Sequence, residues 1–237
     1  MTTDTISQSS EQESIKAWFD HTYQKWGFTY LRSVKAYYLF HSILAPAKKG
    51  KHLDIACGLG HILRVMTDQG HEAHGIDISD VAIEGAKKYC PEATVSVQNA
   101  QKIDYPDETF DTITCIGSLE RMLDRPKALA EIRRLLNDSG KCCIMVRNAE
   151  HLTWQIRKSI GFVNRKGHQG ANNLDTWSSL FEENGFKVLK VYPDHWPYYK
   201  FRNLLFPFKK ADTSVIKKFP FSIRYAYEHI FLLEKDD

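Results

Sequence analysis

The stretch Leu53-Asp54-Ile55-Ala56-Cys57-Gly58-Leu59-Gly60 decides the fold, because an apolar strand pattern runs directly into two glycines and then into helical spacing. Glycine lets a backbone approach a ligand where a Cβ atom would clash. The pattern is typical of the first strand-to-helix turn of a nucleotide-binding sheet. A G-x-G alone occurs in many nucleotide-binding proteins, so the neighbouring residues must indicate which ligand is bound.

Strand and helix patterns alternate on both sides of this turn. The predicted strands after it are HEAHGIDIS (71–79), ATVSVQ (93–98), FDTITCI (110–116) and KCCIMV (141–146). Apolar residues recur at helical spacing after Gly60 and again over 81–89. A further helix is predicted to begin after Asp124, its N-cap, and to end at a turn over 137–140. Such alternation indicates βαβ units. We therefore expect an α/β fold with a doubly wound, mostly parallel sheet.

Composition excludes several classes of protein. The 237 residues are 43% hydrophobic, which suits a globular chain, and the net charge of +3 is too small to indicate a polyanionic partner. A mean hydropathy of -0.41 and the lack of a long apolar run predict no membrane span. Five cysteines without a CxxC pair favour a reducing compartment over disulfides or a metal site. The polar, acidic N-terminus lacks a secretory pattern, so we expect a cytoplasmic protein.

Two carboxylates near the glycines reduce the range of ligands that this site could bind. Asp54 stands at the end of the first strand, and Leu63 replaces the third glycine that packs around a pyrophosphate in dinucleotide folds. These features favour adenosine without phosphates, and a cationic group would suit Asp54. Asp77 ends the second strand, where a carboxylate can accept both hydroxyls of a ribose. Its alternative role is to cap the next helix, a position that Ser79 or Asp80 fills better.

At this point the sequence resembles the class I S-adenosylmethionine-dependent methyltransferases, most of all the group that acts on small molecules. The resemblance covers roughly 50–148 with distinct motifs, and the chain after 174 more faintly. The matching motifs are Leu53–Gly60, Gly75–Ile78, Asn99–Gln101 with 105–111, Cys115–Arg121 and Ala130–Leu136. The resemblance implies a Rossmann-like sheet of seven strands, with an antiparallel last strand, N-terminal helices and an insertion before that strand.

The resemblance also implies a cofactor, a set of site residues and a division of the chain. The methyl donor would be S-adenosylmethionine and the product S-adenosylhomocysteine. The acceptor would be a small molecule rather than a nucleic acid, and no metal would be bound. The oligomeric state is left open. The implied cofactor-binding residues are Asp54, Ala56, Cys57, Gly58, Gly60, Asp77, Ile78, Asn99, Ala100, Cys115 and Ile116. We expect a disordered tail over 1–12 and one domain over 13–237. Its parts would be a helical cap (13–49), a cofactor-binding core (50–148) and a substrate-side half (149–237) with an insertion at 193–224.

Three candidate site residues depart from the family pattern, and Asp138-Ser139-Gly140 replaces its common Pro-Gly-Gly turn. Ala56 stands where the family usually has its first glycine, and its methyl group is tolerable if φ stays negative. Asn99 replaces the usual aspartate beside adenine, and its amide oxygen can still accept the hydrogen bond. Arg121 stands where relatives often have histidine.

Methyl transfer from a sulfonium needs mainly alignment and exclusion of water, and it needs a base only for some acceptors. Arg121 would bind an anionic acceptor bidentately, although it could equally be a solvated charge paired with Glu120 or Asp124. His151 is our candidate base because it follows the fifth strand at the ligand-binding edge. His168 and His195 also fall in segments expected near the pocket, and any of the three could instead be a surface or packing residue.

Lysines and aromatic residues alternate over 187–221. This pattern is typical of a hairpin or helical excursion with the rings packed inward, and a lid over the acceptor is the main functional alternative. Contact with an anionic membrane surface or a nucleic acid is a weaker one. Tyr23, Trp26, Tyr30 and Arg32 could similarly fold over the donor or simply pack in the core.

Three other functions stay open. An NAD(P)-dependent oxidoreductase has a related fold, although Leu63 and Asp54 argue against it. A nucleic-acid methyltransferase typically carries an Asn/Asp-Pro-Pro-aromatic loop where this chain has Cys115-Ile-Gly-Ser118. A binding protein without activity could have lost its catalytic pocket at Ala56 and Asn99.

Overall fold

The structure is a computed structural model, and it describes residues 3–161, 170–194, 196 and 222–236. Its strands are β1 (Lys51–Ile55), β2 (Glu72–Asp77), β3 (Thr94–Val97), β4 (Phe110–Ile116), β5 (Leu136–Arg147), β6 (Phe186–Pro193) and β7 (Glu228–Lys235). Within this part of the chain they form one seven-stranded sheet in the order β3-β2-β1-β4-β5-β7-β6. β1 to β5 pair in parallel, and β7 is antiparallel to both β5 and β6. The predicted fold class is confirmed.

Helices cover both faces of the sheet. They are α1 (Thr3–Trp26), α2 (Tyr38–Leu44), α3 (His61–Asp68), α4 (Asp80–Tyr89), α5 (Arg125–Leu135), α6 (Leu152–Ser159) and α7 (Leu174–Glu183). Buried residues of α5 and α7 share one apolar cluster, whereas α2, α3 and α4 contribute to another. The neighbours Cys142 and Cys143 belong to different clusters, because successive side chains of a strand point to opposite faces. All five cysteines are buried and free.

The α5 helix begins as predicted but ends differently. The Asp124 side chain accepts a hydrogen bond from the Lys127 amide (3.0 Å), as a helix cap does. The turn predicted over 137–140 is wrong, because β5 already starts at Leu136, whose fully buried side chain holds the chain to the sheet. β5 pairs with β4 first at Leu136 and next at Lys141, so 137–140 form an irregularity inside one strand.

The N-terminal segment differs from the expectation of a loose tail over 1–12. α1 runs from Thr3, since residues 1–26 contain neither glycine nor proline to stop a helix. The helix ends before Gly27, whose φ of +48° breaks the helical path. Between Gly27 and α2 the backbone forms two short 3₁₀ turns, Gly27–Tyr30 and Val34–Tyr37.

Two expectations fall largely on residues that the structure does not describe, namely the glycine-rich loop over 161–170 and the insertion over 193–224. None of the described helices is long and apolar enough to cross a membrane. The division of the chain into a cap, a core and a substrate-side half stays a prediction.

Candidate active site

The glycine turn lies between β1 and α3 and is closed by backbone hydrogen bonds. The Cys57 amide donates to the Ile76 carbonyl (2.9 Å), and the Gly60 amide donates to the Cys57 carbonyl (3.0 Å). Gly58 and Gly60 have φ values of +52° and +88°, which explains why glycine occupies both positions. Ala56 has a φ of +59°, so the condition of a negative φ is not met and its backbone is held in a strained conformation.

Asp77 joins this turn to the end of β2. One carboxylate oxygen accepts a hydrogen bond from the Gly58 amide and the other from the Ser79 amide, both at 2.9 Å. Ser79 caps α4, because its hydroxyl accepts the Ala82 amide (3.0 Å). Asp77 is therefore not needed as the cap. Burial raises the pKa of Asp77 to about 6, although the two amides lower it.

Asp54 is buried at the end of β1. The Thr114 hydroxyl donates a hydrogen bond to its carboxylate (2.6 Å). Burial raises the pKa of Asp54 to about 8, and the negative charge of Asp77 adds to that effect. A cation placed beside Asp54 would reverse the effect and favour its ionised form.

Two adjoining cavities open at this edge of the sheet. The Asp77 cavity and the Asp54 cavity, each named after a carboxylate in its wall, share the residues Phe19, Tyr23, Ala56, Ser118 and Arg121. They bring together ten of the sequence-predicted site residues: Asp54, Ala56, Cys57, Gly58, Asp77, Ile78, Asn99, Ala100, Ile116 and Arg121. Ligand crevices at the carboxyl ends of strands are a general feature of open α/β sheets.

Three predicted site residues do not line either cavity. Gly60 faces α4, where an added Cβ would lie 3.3 Å from the Cβ of Ala86. Cys115 is fully buried in the apolar cluster. His151 contacts the Tyr227 ring edge-on (5.1 Å), and its Nδ1 lies 2.8 Å from the Thr153 hydroxyl. Burial lowers the pKa of His151. His168 and His195 lie outside the described residues.

Asn99 is engaged in a local turn. Its side-chain oxygen accepts a hydrogen bond from the Gln101 amide (2.9 Å), which is a common use of asparagine. One of the two lone pairs of this oxygen is therefore used within the chain, and the other is left for a ligand.

Arg121 is buried, only 8% exposed, rather than solvated at a helix start. Its guanidinium lies 5.3 Å from the centre of the Phe19 ring and 5.7 Å from that of Trp18. Its Nε donates to the Gly117 carbonyl (3.4 Å). A positive charge thus lies in the wall that both cavities share.

The α1 helix covers the cavities. Besides Phe19 and Tyr23 in the walls, the Ser79 hydroxyl donates to Asp20, and Lys16 forms an ion pair with Asp80. These contacts hold α1 against the beginning of α4. Of the N-terminal residues expected near the donor, Tyr23 and Tyr30 line the Asp54 cavity, whereas Trp26 is 54% exposed.

Phe19, Tyr37 and His61 are among the cavity-wall residues that sequence reasoning missed. The His61 ring stacks on Tyr37 with 5.0 Å between ring centres, and burial lowers its pKa to about 4. The available signal was its position, directly after Gly60 in the glycine turn. Phe19 and Tyr37 come from the N-terminal segment and line a cavity with turn residues that are distant in sequence.

Comparisons with known proteins agree with this geometry. A family model described as a methyltransferase domain matches residues 23–191, so the chain belongs to that family. The uncharacterized methyltransferase YcgJ of Bacillus subtilis is 26% identical over 140 residues, which are 56% of this chain and 55% of that protein. The demethylmenaquinone methyltransferase of Symbiobacterium thermophilum is 31% identical over 104 residues, 40% of this chain and 41% of that protein. The chain thus matches about half the length of these curated relatives.

Solved structures share the fold. A TehB-like SAM-dependent methyltransferase from Corynebacterium glutamicum matches with a TM-score of 0.62 and 20% identity, over 93% of this chain and 99% of that one. Phosphoethanolamine N-methyltransferase 2 of Haemonchus contortus matches with a TM-score of 0.63 and 17% identity, over 86% of this chain and 52% of that one.

Proposed function

We propose that the protein transfers a methyl group from S-adenosylmethionine to an oxygen or nitrogen atom of a small-molecule acceptor. The observation that carries this proposal is the carboxylate of Asp77, which lies at the end of β2, binds the glycine turn and lines a cavity. Its oxygens accept the Gly58 and Ser79 amides and lie in the cavity wall, where the carboxylate would also accept the ribose hydroxyls.

The remaining wall residues fit the other parts of this cofactor. Ile78, Asn99 and Ala100 would flank the adenine in the Asp77 cavity. Asp54, Cys57 and Gly58 would hold the amino-acid end in the Asp54 cavity. Asp54 would bind its ammonium group, because that group favours the ionised carboxylate.

The cofactor supplies an activated methyl group, so the chain mainly has to align the acceptor and exclude water. Phe19 and Tyr23 from α1 would exclude water on the outer side. Arg121 would bind an anionic group of the acceptor through its guanidinium. His151 lines neither cavity, so we propose it as the base only for an acceptor that extends beyond them towards the end of β5.

The names of relatives support a small acceptor, because they include demethylmenaquinone and phosphoethanolamine methyltransferases. The test is to incubate the protein with methyl-labelled S-adenosylmethionine and pools of small amines, hydroxyl compounds and acids. Label should appear in a small molecule, and NAD(P) should give no thermal shift. A shift with NAD(P) but none with S-adenosylhomocysteine would favour the oxidoreductase instead.

A further inference from the structure

The α6 helix carries an exposed apolar stripe, the α6 stripe, formed by Leu152, Ile156 and Ile160. The Ile160 amide donates to the Ile156 carbonyl (3.1 Å), so the helical path continues to the end of the stripe. The three side chains are 66%, 50% and 68% exposed in that order. Because residues four apart lie on one face of a helix, the stripe presents a continuous aliphatic surface to solvent.

The other side of α6 attaches the helix to the protein. The guanidinium of Arg147, the last residue of β5, lies 5.1 Å from the centre of the partly buried Trp154 ring. Trp154 is two residues from both Leu152 and Ile156, which is about half a helical turn and puts it on the opposite side. The contact of Trp154 therefore holds the helix with its aliphatic stripe turned outward.

An exposed tyrosine lies near the beginning of α6. The Arg224 guanidinium lies 3.5 Å from the Glu150 carboxylate, which brings the turn Ile223–Tyr225 to this end of the helix. Tyr225 is 61% exposed. A tyrosine has an apolar ring and a polar hydroxyl, and such residues are enriched where proteins meet the boundary between a bilayer and water.

The sequence around this surface is strongly basic. Residues 151–174 contain four lysines and arginines without any aspartate or glutamate, and 195–221 contain six against one aspartate. The net charge of the whole chain is only +3, so the other residues are negative on balance. Most of 195–221 lies outside the described residues, and the described chain resumes at Ser222, one residue before the turn that contacts Glu150. Basic sequence beside an exposed apolar stripe is typical of segments that bind anionic lipids.

An anionic bilayer fits the α6 stripe better than another macromolecule does. A stable protein interface buries roughly 800 Å² on each partner, and its apolar centre is larger than three aliphatic side chains. A nucleic acid would be attracted by the basic residues but would leave the aliphatic stripe uncovered. An interfacial helix only has to insert its apolar side chains among lipid headgroups. The eight residues of α6 are too few to span a bilayer, so the helix would lie along its surface.

We propose that the α6 stripe docks the protein on an anionic lipid bilayer. Leu152, Ile156 and Ile160 enter the headgroup layer, and the basic residues of 151–174 attract the lipid phosphates. The helix begins five residues after the end of β5, at the edge of the sheet where both cavities open. The docking is a property of this surface and does not depend on the proposed methyl transfer.

Flotation with lipid vesicles tests this docking. Vesicles of phosphatidylcholine and phosphatidylglycerol in a two-to-one ratio should bind the protein at least about tenfold more tightly than phosphatidylcholine vesicles, and high salt should remove the difference. Ile156→Gln should weaken binding to the anionic vesicles by about fivefold, because an apolar side chain no longer enters the bilayer. Lys158→Gln should weaken it by a similar factor, since each basic residue adds a comparable attraction.

The matched control is Val97→Gln, which changes a 45% exposed aliphatic side chain on the edge strand β3 and should leave vesicle binding unchanged. Ile156→Gln should keep the Tm of the unchanged protein, because the side chain is exposed. Three vesicle results would overturn the proposal: no binding to anionic vesicles, equal binding to both kinds at low salt, or unchanged binding by Ile156→Gln. A lower Tm for Ile156→Gln, a dimer in light scattering that Ile156→Gln dissociates, or tighter binding of transfer RNA than of anionic vesicles would overturn it as well.

Discussion

At the scale of single residues, Ala56 is the strained position of the glycine turn. A left-handed backbone costs a residue with a Cβ roughly 1–2 kcal/mol, whereas glycine adopts it freely. Ala56→Gly should therefore stabilise the protein by about 1 kcal/mol and raise Tm by about 2–4 °C, measured by thermal unfolding. The matched control is Ala130→Gly, an exposed position inside α5, which should lower stability by about 1 kcal/mol. A lower Tm for Ala56→Gly would show that the left-handed backbone of Ala56 does not destabilise the folded protein.

Asp54 makes stability depend on pH. Its pKa rises from 3.8 to about 8 on folding, so between these values the folded state keeps a proton that the unfolded state releases. The contribution of Asp54 to the free energy of unfolding should therefore be full below about pH 4 and be lost as pH rises to about 8. Asp77, with a pKa of about 6, acts in the same direction over a narrower range.

Asp54→Asn removes this dependence while keeping the size of the side chain. Its Tm should exceed that of the unchanged protein at pH 8 and match it near pH 4. Thermal unfolding over this pH range measures the difference, with exposed Asp104→Asn as the control. If Asp54→Asn gave no gain at pH 8, the buried Asp54 would not be protonated as we describe.

At the scale of elements, α1 acts as the outer wall of the site. Phe19 lines both cavities and contacts Arg121, so Phe19→Ala should weaken S-adenosylhomocysteine binding by about tenfold or more. Trp26→Ala changes an exposed ring at the end of the same helix and should leave binding unchanged. Calorimetric titration of both variants measures this effect. Equal binding by both would show that α1 does not enclose the ligand.

The elements predicted best from the sequence are those with a local signal, such as an apolar run or a capping residue. The strand at 110–116 and the cap at Asp124 follow from apolar runs and a capping residue, and both are confirmed. The start of β5 at Leu136 was not predictable, because pairing with Phe110 overrides the turn preference of 137–140.

The candidate site shows the same limit. The positions of Asp54, Asp77 and the glycines follow from the strand ends, since ligands bind at that edge of the sheet. The positive φ of Ala56 and the contact between Asp20 and Ser79 depend on tertiary packing between distant segments. Local sequence patterns carry no signal for such contacts.

At the scale of the whole molecule, a buried ion cluster joins the N-terminal segment to the far end of the sheet. Arg32 binds Asp194, after β6, and Glu228, at the start of β7. Arg32→Met would leave buried Asp194 without its cation and Glu228 with the more distant Arg147 (3.9 Å), so it should cost about 3–5 kcal/mol. Urea unfolding measures this loss, and Arg64→Met, which removes more exposed pairs with Asp68 and Glu92, should cost less than about 1 kcal/mol. A similar loss of unfolding free energy in both variants would contradict a stabilising role for the buried ion cluster of Arg32.

The central claim is that the two cavities form one site for an adenosyl cofactor, and calorimetric titration of S-adenosylhomocysteine tests it most directly. We expect heat of binding with one ligand per chain, weakened by about tenfold in Asp77→Asn, which replaces a charged acceptor of the ribose hydroxyls. Titration of the folded protein without heat above dilution, with no thermal shift, would contradict the account.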